Sequence, residues 1–130
     1  MKLILDVENT VVKRDGKLHL DPFEPSNSLV MVGVCSTEGE PTHFTFDHTE
    51  YDCNYEYRKK DCDTLQAMLD KCELLIGHNI SHDLQWLWET GFKYDGKVWD
   101  TMLGEYLLQR GVKQPLGLEA IAERRDLEFK

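Results

Sequence analysis

The order in which strand-like and helix-like apolar patterns follow one another constrains the fold more than any other feature of the sequence. Three strand-like segments come first: residues 3–7 form an apolar run that continues weakly to residue 12, residues 29–35 are almost continuously apolar, and residues 42–46 alternate. A continuous apolar run predicts a strand covered on both faces, whereas alternation predicts one buried face. We therefore expect three strands, with a turn and loop over residues 13–28 and a hairpin turn at residues 38–41.

Helix-like and strand-like patterns then alternate along the second half of the chain. Leu65, Met68 and Leu69 are spaced three or four residues apart, as on one face of a helix. The segment before them, residues 47–61, is polar without a clear period, which indicates an irregular surface loop. Further elements are predicted as strands at residues 74–76 and 97–99, a helix between Ser81 and Gly91, and helices over residues 100–111 and from residue 114 onward.

This order, β-β-β-α-β-α-β-α-α, predicts an α/β fold in which helices flank a mixed β-sheet. The 130 residues suit a single domain spanning residues 1–130 and contain no internal repeat. No apolar run approaches the roughly 20 residues needed to cross a bilayer, and the first residues lack the pattern of a signal peptide. We therefore expect a cytoplasmic protein without a membrane partner.

Net charge argues against a protein that coats nucleic acid, and cysteine spacing argues against a disulfide framework or a zinc site. The formal net charge is −9, whereas proteins that coat nucleic acid present a basic surface. A nucleic-acid substrate remains compatible with this charge if carboxylates bind divalent cations, which then meet the phosphates. The four cysteines, at positions 35, 53, 62 and 72, include no C-x-x-C pair, so we expect isolated thiols and neither a disulfide framework nor a zinc site.

Two carboxylates, Asp6 and Glu8, end the first predicted strand. Alternate residues of a strand share a face, so both are expected to point to the same side. Side by side they repel each other unless they are protonated, solvated or bridged by cations, and Mg²⁺ or Mn²⁺ suits such oxygen ligands. In a chain with 24 acidic residues the pair alone is better interpreted as a polar strand end.

A second group of polar residues follows the predicted strand at residues 74–76. Gly77-His78-Asn79 ends this strand, and Asp83 comes four residues after Asn79, at a neighbouring position on the start of a helix. In α/β folds the ends of parallel strands meet at one edge of the sheet, where sites usually form. Each residue alone also has a structural use, because Asn favours turns and an acid in the first helical turn complements the helix dipole.

Several other residues are interpreted as structural. Asp100 precedes Thr101 and an apolar run, a combination typical of a helix N-cap. His78 and His82 flank the candidate site but are expected to be ordinary polar residues. Core positions are predicted for Trp86, Trp88 and Trp99 and, on the last helix, for Leu118, Ile121 and Ala122.

Together these segments resemble one known group of enzymes. LDVEN resembles the first motif of the DEDD superfamily of 3′–5′ exonucleases, and LLIGHNISHDLQWL resembles its second motif. VWDTMLGEYLLQ followed by LGLEAIAERR looks like the next segment of the proofreading domains of family A DNA polymerases, including those of phages. The similarity covers residues 3 to about 123, with the motifs in the expected order.

The resemblance implies a ribonuclease H-like fold and hydrolysis of phosphodiester bonds by two metal ions, Mg²⁺ or Mn²⁺. By this resemblance, Asp6 would contact both ions. Glu8 would bind one ion and help to place the nucleophilic water, and Asp83 would hold the second ion. Asn79 would contact the terminal nucleotide or support the site, and Asn9 stands where many relatives have Thr beside the scissile phosphate. The implied substrate is the 3′ end of single-stranded DNA, and the implied partner is a DNA polymerase domain in the same or a separate chain.

One motif of the superfamily is missing. The third motif, Tyr-x-x-x-Asp or His-x-x-x-Asp, should lie on a helix beyond residues 118–125, but neither Tyr nor His stands four positions before Asp126. We therefore expect the last helix, the fourth carboxylate and the general base to be absent and the activity to be weak or lost. Truncation is the preferred reason, ahead of a naturally short protein or the first part of a longer polymerase. The alternative functions are an RNA 3′ exonuclease of this superfamily and an inactive module that binds nucleic acid or protein.

Overall fold

The computed structural model describes residues 1–24, 27–46 and 55–127. Its elements follow the predicted alternation of strands and helices. The strands are β1 Lys2–Asn9, β2 Val12–Arg14, β3 Lys17–His19, β4 Leu29–Ser36, β5 Thr42–Thr45, β6 Leu74–Gly77 and β7 Lys97–Asp100. The helices are α1 Tyr55–Asp70, α2 Ile80–Thr90, α3 Thr101–Leu108 and α4 Leu118–Arg124.

Five of these strands form one mixed sheet in the order β5-β4-β1-β6-β7. β1 lies at its centre, antiparallel to β4 and parallel to β6, and β7 extends the parallel side. Parallel neighbours need a crossover connection, which α2 provides between β6 and β7. The predicted α/β architecture, a mixed sheet flanked by helices, is confirmed. β6 and β7 end together, Gly77 opposite Asp100, while the central strand β1 continues past them to Asn9.

The main core lies on one face of this sheet. Leu3, Leu5 and Val7 of β1 point to this face and are at most 6% exposed, as the alternation of a strand requires. Leu65 of α1 and Leu87 of α2 are fully buried in the same apolar cluster. Burying a leucine side chain contributes about 1.5–3 kcal/mol, so this layer supplies much of the stability.

The opposite face of the sheet is only partly covered. Ile4 of β1 is 44% exposed there, and Trp99 of β7 is 54% exposed. The Trp99 ring lies against α3, since a β-carbon on Gly104 would come within 3.1 Å of it. The prediction that Trp88 and Trp99 fill the core is therefore wrong, whereas Trp86 is buried as predicted.

Four local predictions are wrong in whole or in part. α1 begins at Tyr55, so the predicted loop fails over residues 55–61, and residues 47–54 lie outside the described residues. The turn predicted within residues 13–28 is present at Asp15 and Gly16, both with positive φ, but it joins β2 and β3 in a hairpin that the prediction lacked. The N-cap of α2 is Asn79, not Ser81. β4 is closely covered on one face only, because Leu29, Val32 and Val34 are buried whereas the other residues of the strand are partly exposed.

Ion pairs join α3 to α4. The carboxylate of Glu105, which is 6% exposed, accepts hydrogen bonds from Arg124 at 3.2 Å and from Arg125 at 3.1 Å. Burial alone would raise the pKa of Glu105, but the bonds from the two guanidinium groups outweigh burial and lower it. On α4, Ala122 is buried as predicted, whereas Leu118 is 49% exposed and its predicted core position is wrong.

Two negative findings hold for the described ranges. None of their helices has the length and apolar character needed to span a membrane. Within the same ranges, Cys35, Cys62 and Cys72 remain thiols, and Cys53 lies outside them.

Candidate functional site

The alternation of β1 carries two carboxylates to the same side of the sheet. Leu5 and Val7 are buried in the core, whereas Asp6 and Glu8 are exposed on the opposite face, as predicted. The pairing of β1 with β4 shifts register between Glu8 and Asn9. Such a bulge bends a strand and changes the direction of nearby side chains, which is why bulges recur beside active sites.

β6 runs parallel to β1 and ends beside it. Its last residue, Gly77, lies so close to β1 that a β-carbon there would be 3.2 Å from the Leu5 carbonyl oxygen and 2.5 Å from Ile80. A larger residue at position 77 would require the Ile80 side chain to move and would crowd the Leu5 carbonyl group. The chain that follows Gly77 therefore turns next to Asp6, the neighbour of Leu5.

Asn79 makes this turn in a left-handed conformation, with φ 59° and ψ 52°. Asn tolerates this region better than most residues, because its short polar side chain can bond locally. Its side chain does not cap α2, and its backbone N–H donates to the Asp100 carboxylate at 2.9 Å. α2 begins directly afterwards and carries Asp83 in its first turn.

Asp83 is the buried carboxylate of the site. It is 3% exposed, and its Oδ2 has no hydrogen-bond partner within the described ranges. Buried polar atoms are nearly always paired, since an unpaired one costs about 1–3 kcal/mol. An acid whose only role was to interact with the helix dipole would not need to be buried. The burial of Asp83 therefore points to a ligand for its unpaired oxygen.

Burial and neighbouring acids together raise the pKa of Asp83. Burial is the largest cause, followed by the negative charges of Asp6, Asp100 and Glu8, and the pKa rises from 3.8 to about 8. The Asp83 carboxylate therefore experiences negative charge from both β1 and β7. A proton on Asp83 or a cation among the carboxylates relieves their repulsion.

The chemistry of these residues fits a divalent cation, although their side chains do not form a closed ligand set. Within the described ranges, no three Asp, Glu, His or Cys side chains are arranged to hold a metal ion together. Asp6 and Glu8 are exposed and can rotate, whereas Asp83 is fixed by burial and presents an unpaired oxygen. Carboxylate oxygens are the ligands that Mg²⁺ and Mn²⁺ prefer.

The two asparagines predicted to meet a substrate differ in their surroundings. The Asn9 amide donates to the carbonyl oxygens of Thr10 at 2.8 Å and Leu20 at 3.1 Å, and its side-chain oxygen lies 3.2 Å from Nε2 of His82. Both amide hydrogens of Asn9 are thereby used. The side chain of Asn79 is exposed and leaves the N-terminus of α2 uncapped. Asn79 is the better placed of the two to contact a ligand.

Sequence reasoning missed part of the role of Asp100. The carboxylate caps α3 as predicted, since it accepts from the Met102 N–H at 2.9 Å. It also holds Asn79, and its charge acts on Asp83. The cause is the parallel pairing of β6 with β7, which sets Gly77 opposite Asp100. No spacing within a single segment could reveal this contact.

Two solved structures resemble the chain in fold. One, described as the apo form of a nuclease, has a TM-score of 0.64 and 18% sequence identity. The other is Brucella melitensis NrnC with bound Mg²⁺, also with a TM-score of 0.64 and 18% identity. Each alignment covers 99% of this chain but 54% and 55% of the neighbours, so the chain spans about half of their length. No family model and no curated protein matches the chain.

At 18% identity the likeness concerns the fold. The mixed sheet with its strand order and flanking helices is the ribonuclease H-like fold that the motif resemblance implies, and this prediction is confirmed. Because one fold hosts many activities, function has to be argued from the site.

Proposed function

We propose that this chain is a metal-dependent 3′–5′ exonuclease domain that hydrolyses phosphodiester bonds at the 3′ ends of single-stranded DNA. The observation that carries the proposal is the buried Asp83 carboxylate: its Oδ2 has no hydrogen-bond partner within the described ranges, and burial together with the charges of Asp6, Asp100 and Glu8 raises its pKa. Asp6 and Glu8 lie on β1, and Asp83 lies in the first turn of the helix that follows its parallel neighbour β6, in the region where α/β folds bind ligands. The bound Mg²⁺ of a protein with a similar fold supports a divalent cation here.

Asp6, Glu8 and Asp83 would hold Mg²⁺ or Mn²⁺. Two such ions stabilise the attacking and the leaving oxygen of an in-line displacement at phosphorus. Asp83 has to release its proton before its carboxylate can bind a cation. Glu8 is exposed and can accept a hydrogen bond from the attacking water, which orients it. Asn79 is exposed and can donate to the terminal nucleotide.

The acidic character of the chain determines how a substrate binds. With a net charge of −9, phosphate approaches favourably only when cations neutralise the carboxylates. Binding should therefore require metal and weaken as salt rises. The choice of DNA and of a polymerase domain as partner, in the same or a separate chain, is proposed on the resemblance to proofreading domains. A cytoplasmic setting is proposed on the sequence, in which neither a signal-peptide pattern nor a membrane-spanning apolar run was found.

The proposed chemistry also needs a general base. A positioned base typically contributes about 10²–10⁴-fold to such a reaction. No Tyr-x-x-x-Asp or His-x-x-x-Asp follows α4 in the sequence. We therefore expect the 130 residues to cut DNA slowly and a chain that also supplies such a helix to cut it faster.

A nuclease assay on 5′-labelled DNA tests the proposal. With Mn²⁺, a single-stranded oligonucleotide should shorten stepwise from its 3′ end, and EDTA should stop the reaction. Asp6→Asn should abolish the ladder of products. Glu38→Gln removes an exposed acid from the turn between β4 and β5 and should leave the ladder unchanged. An oligonucleotide with a blocked 3′ end should persist.

Other results would replace the proposal with its alternatives. Faster shortening of RNA than of DNA of the same sequence would favour the RNA exonuclease. Metal-dependent binding without cleavage, even after a helix with the third motif is supplied, would favour an inactive binding module. Cleavage that survives Asp6→Asn would show that the carboxylate site is not responsible.

A further inference from the structure

Asp100 makes two backbone contacts that connect separate segments of the candidate site. Its Oδ1 accepts a hydrogen bond from the Met102 N–H at 2.9 Å, which caps α3. The same oxygen accepts from the Asn79 N–H at 2.9 Å, although the two residues are 21 positions apart in the chain. The pairing of Gly77 with Asp100 across β6 and β7 brings them together.

The second contact fixes a residue in a sparsely populated conformation. A non-glycine residue persists in the left-handed region only where its surroundings hold it there. For Asn79, Asp100 holds the N–H, while the carbonyl oxygen accepts from the His82 N–H at 3.1 Å in the first turn of α2. Asp83 lies in that turn. The direction of the Asp83 side chain therefore depends on the position of Asn79.

Side-chain reach separates this contact from ordinary helix capping. Ser and Thr cap helices about as well as Asp, but their hydroxyl oxygen lies closer to the backbone. A Ser at position 100 could accept from the Met102 N–H and would not also reach the Asn79 N–H. Asn carries its oxygen at the same place as Asp, so it can keep both contacts without the charge.

We propose that Asp100 is a positioning residue, which fixes the start of α2 by holding the Asn79 backbone. The fixed helix start directs the Asp83 carboxylate toward Asp6. It also directs the Asn79 side chain toward a bound strand. The consequence for metal binding rests on the proposed function, whereas the geometry rests on the two hydrogen bonds. Asp100 itself contacts neither cation nor substrate.

Two variants separate the roles of the Asp100 carboxylate. Asp100→Ser keeps the cap of α3 and loses the bond to Asn79, whereas Asp100→Asn keeps both bonds and loses the charge. Loss of a residue that positions a metal ligand typically weakens metal binding about 10–100-fold, and we expect this of Asp100→Ser. Removal of one partly screened charge should weaken it by no more than about fivefold in Asp100→Asn. Mn²⁺ binding is measured by electron paramagnetic resonance of the free ion, with Glu38→Gln as the charge control.

Either of two results would overturn the inference. If Asp100→Ser binds Mn²⁺ as tightly as the unmodified chain, Asp100 is a helix cap only. If Asp100→Asn loses as much affinity as Asp100→Ser, the charge matters more than the bond, and Asp100 acts as a direct ligand.

Hydrogen exchange of the Asn79 amide is a second measurement, and it needs no metal. The Asn79 N–H should exchange with solvent about tenfold faster in Asp100→Ser, which is the expected effect of losing one hydrogen bond, and at an unchanged rate in Asp100→Asn. Unchanged exchange in Asp100→Ser would overturn the inference even if metal binding changed. A chain that binds no Mn²⁺ would refute the proposed function instead. The exchange data would still show whether Asp100 holds the Asn79 backbone.

Discussion

Asp83→Asn is expected to stabilise the metal-free protein and to remove a large part of its pH dependence. Asn resembles the protonated acid in shape and carries no charge. The pKa of Asp83 rises from 3.8 to about 8 on folding, because of burial and the charges of Asp6, Asp100 and Glu8. Between these pH values the folded state binds a proton that the unfolded chain has lost, so stability falls as pH rises and levels off above the folded pKa.

The size of this effect follows from the same two pKa values. One pKa unit corresponds to 1.36 kcal/mol, so the free energy of unfolding should fall by about 4 kcal/mol between roughly pH 5 and pH 8 from Asp83 alone. Local rearrangement and entry of water reduce such a value, and a loss of about 2 kcal/mol would still support the reasoning. The Asn variant should lack this contribution.

Urea unfolding at several pH values, in EDTA, measures the effect. The slope of unfolding free energy against pH should be steeper for the unmodified chain than for Asp83→Asn, and Glu38→Gln should keep the steep slope. Equal slopes for the unmodified chain and Asp83→Asn would refute the reasoning, because Asp83 would then hold no extra proton in the folded state.

Three further predictions concern metal binding and packing. Mn²⁺ at a hundred times its Kd should stabilise the chain by about 2.7 kcal/mol, seen as a rise in Tm, and Asp6→Asn should remove the response; an equal rise in both would indicate binding to scattered surface acids. Leu87→Ala should lower the free energy of unfolding in urea by about 2–5 kcal/mol, because Leu87 is fully buried. Leu107→Ala should lower it little, because that side chain is 64% exposed, and similar losses in both variants would contradict the described core. Glu105→Gln should speed tryptic cleavage at α4 because it weakens the ion pairs to both arginines, and Glu119→Gln, an exposed acid on α4, should not.

Patterns within single segments determined much of the fold in advance. The period of two along β1 placed Leu5 in the core and Asp6 with Glu8 on the other side, because alternation is a property of the strand itself. The spacing of Leu65 and Leu69 marked the buried face of α1 for the same kind of reason.

Features that depend on contacts between distant segments were decided only by the tertiary structure. The exposure of Trp99 follows from how little covers one face of the sheet, and an aromatic residue alone does not reveal this. The burial of Asp83 and its raised pKa need α2 to be packed against the sheet, with Asp6, Glu8 and Asp100 brought close from other segments. Burial and charge interactions depend on separation in space, whereas the sequence displays separation along the chain.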